Sequence, residues 1–370
     1  MRFLSLLQVA LVGTFVAVLP VSASPGLKLS ISGPDSVNRV DNLKLVTTLV
    51  NTGDETLKLL NDPRGPLYTL PTDTFVITDA KGARPAFTGV RAKYVPDRAA
   101  ALNDETVFTV LAPGQSVSIT HDLSTTYNFT LTGEGAYTFE ARNFFHIVDS
   151  NRAVTGLHAT VDTHVTNIGG KLAIPRPTLQ RRAYFIGCSD ERQALLNVAI
   201  IDAQQYASDA VSYLNAHTST TQRYTTWFGI FRTSRYNTVR GHFTSISSNT
   251  FSTYTFDCTC TDTGIYAFVY PDQFGTVTLC GRFISVIPSV YGSLLHIFSI
   301  GAFWNAPATG TNSKAGTIIH ESSHFTANGG TGDLVYGQSG CKLWALLFSN
   351  SAVENADSHE YFAENTPALS

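Results

Sequence analysis

The run His320-Glu321-Ser322-Ser323-His324 constrains the fold of this chain more than any other stretch. Residues four apart lie about one turn apart on the same face of a helix, so an H-E-x-x-H run on a helix lets both imidazoles grip one zinc ion. The pattern predicts a helix from Thr317 to about Phe325. Glu321 stands beside the pair, where a carboxylate takes a proton from a metal-bound water. Asp333 follows in the run Gly330-Thr331-Gly332-Asp333-Leu334-Val335-Tyr336-Gly337 and offers a third ligand. Two imidazoles and one carboxylate leave a fourth position for water, as catalytic zinc requires. Gly330 and Gly332 would let the chain turn back toward the metal. The bare five-residue pattern also fits an amphipathic helix with two surface histidines, so the reading depends on what flanks it.

The flanks carry a resemblance. G-T-x-x-H-E-x-x-H from Gly316 to His324, followed by G-T-x-D-x-x-Y-G from Gly330 to Gly337, is similar to the signature of the aspzincin metallopeptidases, the family of deuterolysins and fungal peptidyl-lysine metalloendopeptidases. The resemblance covers residues 183–370 and, weakly, the pro-region before them. It implies His320, His324 and Asp333 as zinc ligands, Glu321 as general base, and Tyr336 as a donor to the oxyanion of the tetrahedral intermediate. It also implies one zinc ion per catalytic domain and disulfides Cys188–Cys258 and Cys260–Cys280. The residues alone say only that cysteines as close as Cys258 and Cys260 pair elsewhere. Cys341 is left over, as a buried free thiol or, on a second reading, in an intermolecular bond. The stretch Asn355 to Phe362 resembles the lysine-specific branch, and implies that Asp357 and Glu360 line the S1′ pocket. Three apart, they share a helical face. Paired carboxylates there favour an ammonium group, hence cleavage on the N-terminal side of lysine. A solvated acidic helix face is the plainer reading, and His359 is expected to be structural.

At 370 residues, two domains are expected. A net charge of −3 gives no electrostatic case for nucleic acid or an anionic membrane as partner. Charged residues make up 14%, below the roughly 25% of an average soluble protein. A surface rich in Ser, Thr, Asn and Gly suits a secreted protein. Met1-Arg2, the apolar run from Phe3 to Val21 and the small residues Val21-Ser22-Ala23 predict a signal peptide, 1–23. The rival, an uncleaved anchor, fits Pro20 and the small-residue exit less well.

Residues 24–165 alternate as strands do, in Leu27 to Ser32 and Leu43 to Val50, with frequent turn signals between, predicting a β-sandwich-like pro-domain. No catalytic cluster is visible there, and no cysteine to block zinc. Ile174 to Arg182 reads as an exposed linker, with Arg181-Arg182 as a site for a dibasic-processing protease. The expected precursor is therefore a β-rich propeptide, 24–182, followed by a mainly α (α+β) zincin-type metalloprotease domain, 183–370. In that second part Ser189 caps a helix whose apolar stripe runs from Leu195 to about His217, and Ala352 to Glu364 forms a final helical segment.

Residues 282–301 do not fit the resemblance. Phe283 to Trp304 is long enough to cross a bilayer, but Pro288, Gly292 and His296 argue against a span. We expect a translated retained intron; the ordinary alternative is an extra buried hairpin or helix. The function expected from these readings is that of a secreted, monomeric zinc endopeptidase acting on protein or peptide substrates before lysine. A broad-specificity, deuterolysin-like endopeptidase is the alternative, and a catalytically silent secreted binding protein the rival from another class.

Overall fold

A computed structural model describes residues 26–102, 104–174, 184–285 and 297–370. The signal-peptide reading, the Arg181-Arg182 site and the middle of the 282–301 segment lie outside the described residues.

The N-terminal region is β-rich, as its alternation predicts. Leu27–Ser32 and Lys44–Asn51 bury every second residue and pair antiparallel, Leu29 opposite Leu49. A four-stranded sheet runs Thr160–Val161, Leu27–Ser32, Lys44–Asn51, Ser116–Asp122; a second runs Ser36–Arg39, His164–Lys171, Gly135–Ala141, Phe75–Asp79. A third is built from Val154–His158, Phe144–Val148, Leu57–Leu60 and Phe108–Leu111. One core joins all three, with Leu29, Leu45, Ile77, Phe139 and Leu59 fully or nearly fully buried.

The C-terminal part is helical around a small sheet. Ser189 caps Asp190–Ala216 by accepting from the Arg192 amide, and Asp190 and Glu191 favour the positive end of the helix. Half of its buried residues are alanine (Ala199, Ala203, Ala207, Ala210), which lets it lie close against the motif helix Lys314–His324. Every residue of that second helix is buried. Tyr184–Ile186, Thr255–Cys260 and Thr276–Cys280 pair in parallel, and Ile265–Val269 closes the sheet antiparallel. The disulfides are Cys188–Cys258 and Cys260–Cys280, the pairing the resemblance implies, and Cys341 is a buried free thiol. A strand from the N-terminal region, Arg91–Tyr94, completes this sheet by pairing with Ile265–Val269.

Arg282–Ser285 and Ile297–Ile300 pair antiparallel, Arg282 opposite Ile300, so the two ends of the unexpected segment form a hairpin. Its entry and exit touch: a Cβ on Gly301 would meet the Gly281 backbone at 2.6 Å. The segment thus leaves and rejoins the sheet at one point. No helix among the described residues is long and apolar enough to cross a membrane.

Candidate metal centre

The motif helix begins at Ser313, whose Oγ accepts from the Gly316 amide at 2.8 Å. Gly316 has no Cβ because the Glu364 carboxylate lies where one would go. Glu364 in turn accepts from the Asn312 and Ser313 amides and from Ser313 Oγ. Burial, and then Glu360 nearby, raises its pKa to about 8. The glycine of the first G-T pair is therefore a contact point between the motif helix and the last one, Ala356–Glu364.

After His324 the chain reverses. The Phe325 carbonyl accepts from three successive amides, Asn328, Gly329 and Gly330, and Gly330 takes φ +61°. That left-handed conformation needs glycine. Gly332 does not adopt a positive φ; it pairs instead with Asn355 in an isolated bridge. Asn355 Oδ1 then accepts from the Leu334 and Val335 amides, which pins the loop that carries Asp333 and Tyr336.

This folding brings His320, His324 and Asp333 together. His320 Nε2 lies 3.1 Å and His324 Nε2 3.3 Å from Asp333 Oδ1. Ligand atoms on a tetrahedral zinc with bonds of about 2.0–2.1 Å are roughly 3.3 Å apart, so the donor set fits the ion. His324 Nε2 is buried without a hydrogen-bond partner, as an atom meant for a metal is. The far side of each ring is held: His324 Nδ1 meets the Thr331 carbonyl oxygen at 2.9 Å, and His320 Nδ1 lies 2.8 Å from Asp357 Oδ1. Oxygen acceptors behind metal-binding histidines fix the tautomer and ring orientation.

The electrostatics favour a cation. Burial works against a charge on His320, yet Asp333, Asp357 and Glu360 hold its pKa well above the ordinary value. Burial opposes ionisation of Asp333 as well, but His324 and His320 keep it ionised. Glu321 is driven the other way, up to about 8, chiefly by burial, and a carboxyl poised there suits proton transfer near neutral pH. Tyr336 is raised well above its usual value by burial and by Asp333, so it stays an O–H donor. His359 is buried among Phe228 and Phe243, and is held at about 3 by burial and by His242 beside it.

Asp357 and Glu360 do share one buried face, and they are not solvated. Lys93 lies between them, its Nζ 3.1 Å from Asp357 Oδ1 and 2.5 Å from Glu360 Oε2, with all three side chains fully buried. Asp357 has more to do than recognise an ammonium group, since it also backs His320 and accepts from the Gly337 amide at 2.7 Å.

Residues 24–165 show no catalytic cluster of their own, yet Arg91–Tyr94 reaches the site. The Ala92 amide donates to Asp333 Oδ2 at 3.0 Å and the Lys93 amide to Glu321 Oε1 at 3.2 Å. Tyr336 donates its O–H to the Ala92 carbonyl at 2.6 Å. Arg64 reaches the Asp333 carbonyl at 2.5 Å and stacks on the Tyr336 ring. Thr331, Asn355 and Glu364 were visible only as parts of motifs. Lys93 and Arg64 have no motif at all. The available signal is chemical: if the pocket takes lysine, the chain's own lysines are candidates to fill it.

Comparison with known proteins follows this geometry. The sequence profile of the lysine-specific metallo-endopeptidase family, aspzincin, matches residues 213–294 and 285–364, in two pieces that meet inside the hairpin segment. A peptidyl-Lys metalloendopeptidase of Grifola frondosa is 52% identical over 370 residues, 99% of each chain. Another, from Pleurotus ostreatus, is 61% identical over 187 residues, covering 50% of this chain and 99% of its own. A solved structure, a zinc peptidase from Grifola frondosa, is 51% identical and covers 50% of this chain and 100% of its own, with a TM-score of 0.44.

Proposed function

The chain belongs to the aspzincin family of lysine-specific metallo-endopeptidases, and we propose that its chemistry is carried by the residues gathered at the buried centre. It is a zinc metalloendopeptidase. His320, His324 and Asp333 hold the metal, which when bound lowers the pKa of a water and polarises a carbonyl. Glu321 takes a proton from the attacking water and delivers it to the leaving amine. Tyr336 donates to the carbonyl oxygen as charge develops on it. Asp357 and Glu360 accept the ammonium of a lysine on the leaving side, so the bond cut is the one preceding lysine.

One observation carries the lysine reading. A lysine ammonium is buried between Asp357 and Glu360 while the peptide bond before that lysine lies between Glu321 and Tyr336. Digestion of a peptide library by the processed enzyme tests it. Lysine enriched after the cut is expected; cleavage with no such preference would move the assignment to a broad-specificity endopeptidase. Glu321→Gln should lower turnover by about 10²–10⁴-fold with zinc retained.

We further propose a secreted, monomeric precursor with a signal peptide, 1–23, a β-rich propeptide, 24–182, and a catalytic region, 183–370, released by cleavage after Arg182. The relative of 187 residues that covers half of this chain and nearly all of itself is what a released catalytic region would look like. Residues 282–301 we attribute to a retained intron; what supports this is that the family profile matches in two pieces, 213–294 and 285–364, rather than in one. A cDNA encoding them would overturn that assignment, and mass spectrometry of the secreted protein fixes the mature N-terminus.

A further inference from the structure

The strand Arg91–Tyr94 lies in the cleft as an extended peptide would. Ile265–Val269 would otherwise be the edge of its sheet, and Arg91–Tyr94 is added to it antiparallel, Ala92 opposite Phe268 and Lys93 opposite Ala267. Strand addition to an exposed edge is a general mode of peptide recognition, with main-chain bonds giving affinity and side-chain pockets giving choice. Here the pocket is the carboxylate pair. Lys93 is 0% exposed, its ammonium bound by Asp357 and Glu360 and 3.4 Å from Asn312 Oδ1. The preceding carbonyl accepts from Tyr336, and the Lys93 amide faces Glu321.

We infer that Arg91–Tyr94 is a built-in substrate mimic that keeps the uncut chain latent, Lys93 filling the pocket meant for a substrate lysine. The inference rests on the lysine reading of that pocket. Three features make the strand a lock. Burying a lysine without partners is costly, and burying Asp357 and Glu360 without a cation equally so; each goes far to meet the other's need. Arg64 adds a second clamp on the Asp333–Tyr336 loop, and is itself paired with Asp62 at 3.5 Å. Finally, Tyr94 packs edge-on against Tyr336 within an apolar cluster that includes Leu60 and Val148 from the N-terminal region and Ile265 and Cys280 from the C-terminal part. A strand of micromolar intrinsic affinity tethered at an effective concentration in the millimolar range should weaken the binding of a free peptide roughly 10²–10³-fold while the lock is in place.

The test uses the full-length chain carrying Glu321→Gln, which leaves the lock uncut, with and without Lys93→Ala. Binding of a fluorescently labelled peptide with one central lysine is followed by polarisation, with zinc content and thermal unfolding measured on the same samples. The expected result is peptide binding to the Lys93→Ala chain and a loss of at least about 10²-fold when Lys93 is present. Lys93→Met, closer in volume, serves if the alanine variant unfolds. Equal binding with and without Lys93 would overturn the inference, and so would no binding to a folded, zinc-loaded Lys93 variant. A control peptide with leucine in place of lysine separates the two readings. If it binds the unlocked chain as well as the lysine peptide does, latency stands and the lysine assignment falls.

Discussion

Replacing Glu360 by glutamine should strip the enzyme of its lysine preference while leaving its metal site intact. The pocket divides its two carboxylates unequally. Asp357 Oδ1 lies 2.8 Å from His320 Nδ1, and Asp357 also holds the Gly337 amide. Glu360 makes its short contact with the Lys93 ammonium, at 2.5 Å, and stands 3.3 Å from His320 Nδ1. Glu360→Gln therefore turns one ionic hydrogen bond to the ammonium into a neutral one. Bonds to charged groups contribute about 1.5–3 kcal/mol, so kcat/KM for a lysine substrate should fall roughly 10- to 100-fold. A matched leucine substrate should be unchanged or improved, since a buried charge has been removed. Asp357→Asn should do both kinds of damage, with lysine preference lost and zinc affinity reduced by about 10–100-fold because the carboxylate behind His320 becomes a neutral amide. The assay is kcat/KM on peptides differing only in the residue after the cut, together with zinc competition against a chelator. If Glu360→Gln slows lysine and leucine substrates equally, or weakens zinc as much as Asp357→Asn does, the division of labour is wrong.

Gly316→Ala places a methyl group on the Glu364 carboxylate and should destabilise the fold by about 1–3 kcal/mol, read as a lowered denaturation midpoint. Glu321 and Tyr336 flank the Ala92–Lys93 bond, so this should be the first bond cut in the zinc-replete precursor. Water's oxygen ends on the Ala92 carbonyl carbon and its proton, through Glu321, on the Lys93 nitrogen; N-terminal sequencing should find Lys93, and not in Glu321→Gln. Deleting 282–301 should leave a folded enzyme, since Gly281 and Gly301 already touch, with kcat/KM on a lysine peptide as the measure. His121, bonded to Thr47 in the β-rich region, is held by burial at about 4, below its unfolded value. Its contribution is complete above pH 6.5 and drains as pH falls, by about 3 kcal/mol at pH 4; urea midpoints at pH 7 and 4, with His121→Gln as control, should show the loss and its disappearance.

Local pattern made part of this site legible. The spacing of His320 and His324 has one helical solution, and the G-T glycines sit where backbone geometry or a neighbour forbids a side chain, as Gly330 and Gly316 do. Alternation in Leu27–Ser32 and Lys44–Asn51 made the strands legible for the same reason, because each buries every second residue. What escaped were contacts between distant elements. Lys93 and Glu321 are 228 residues apart in sequence, and nothing in Arg91-Ala92-Lys93-Tyr94 distinguishes it from any other short strand. Its partner strand was unreadable too, since Ile265–Val269 is nearly all buried and shows the alternation of neither an edge nor an exposed face. For residues 282–301 the sequence left hairpin and helix undecided, because an apolar run bounded by glycine has no preferred period, and Arg282–Ser285 pairs with Ile297–Ile300 as a hairpin does.

The shared position of Asp357 joins recognition to chemistry. Its Oδ1 is within 3.1 Å of a lysine ammonium and 2.8 Å of the ring nitrogen behind the metal-facing side of His320. With the pocket empty, Asp357 and Glu360 place two negative charges behind that imidazole and raise its basicity. A lysine ammonium neutralises part of that field, so the residue being recognised also adjusts the electron donation reaching the metal. Specificity should then appear in kcat as well as KM, because an uncharged side chain would leave the charge behind His320 different from the one a lysine creates. The same coupling would make Arg91–Tyr94 an effective lock. By presenting a lysine it satisfies the carboxylates, fixes His320 and holds the Asp333–Tyr336 loop at once, so the catalytic groups are assembled before the first external substrate arrives.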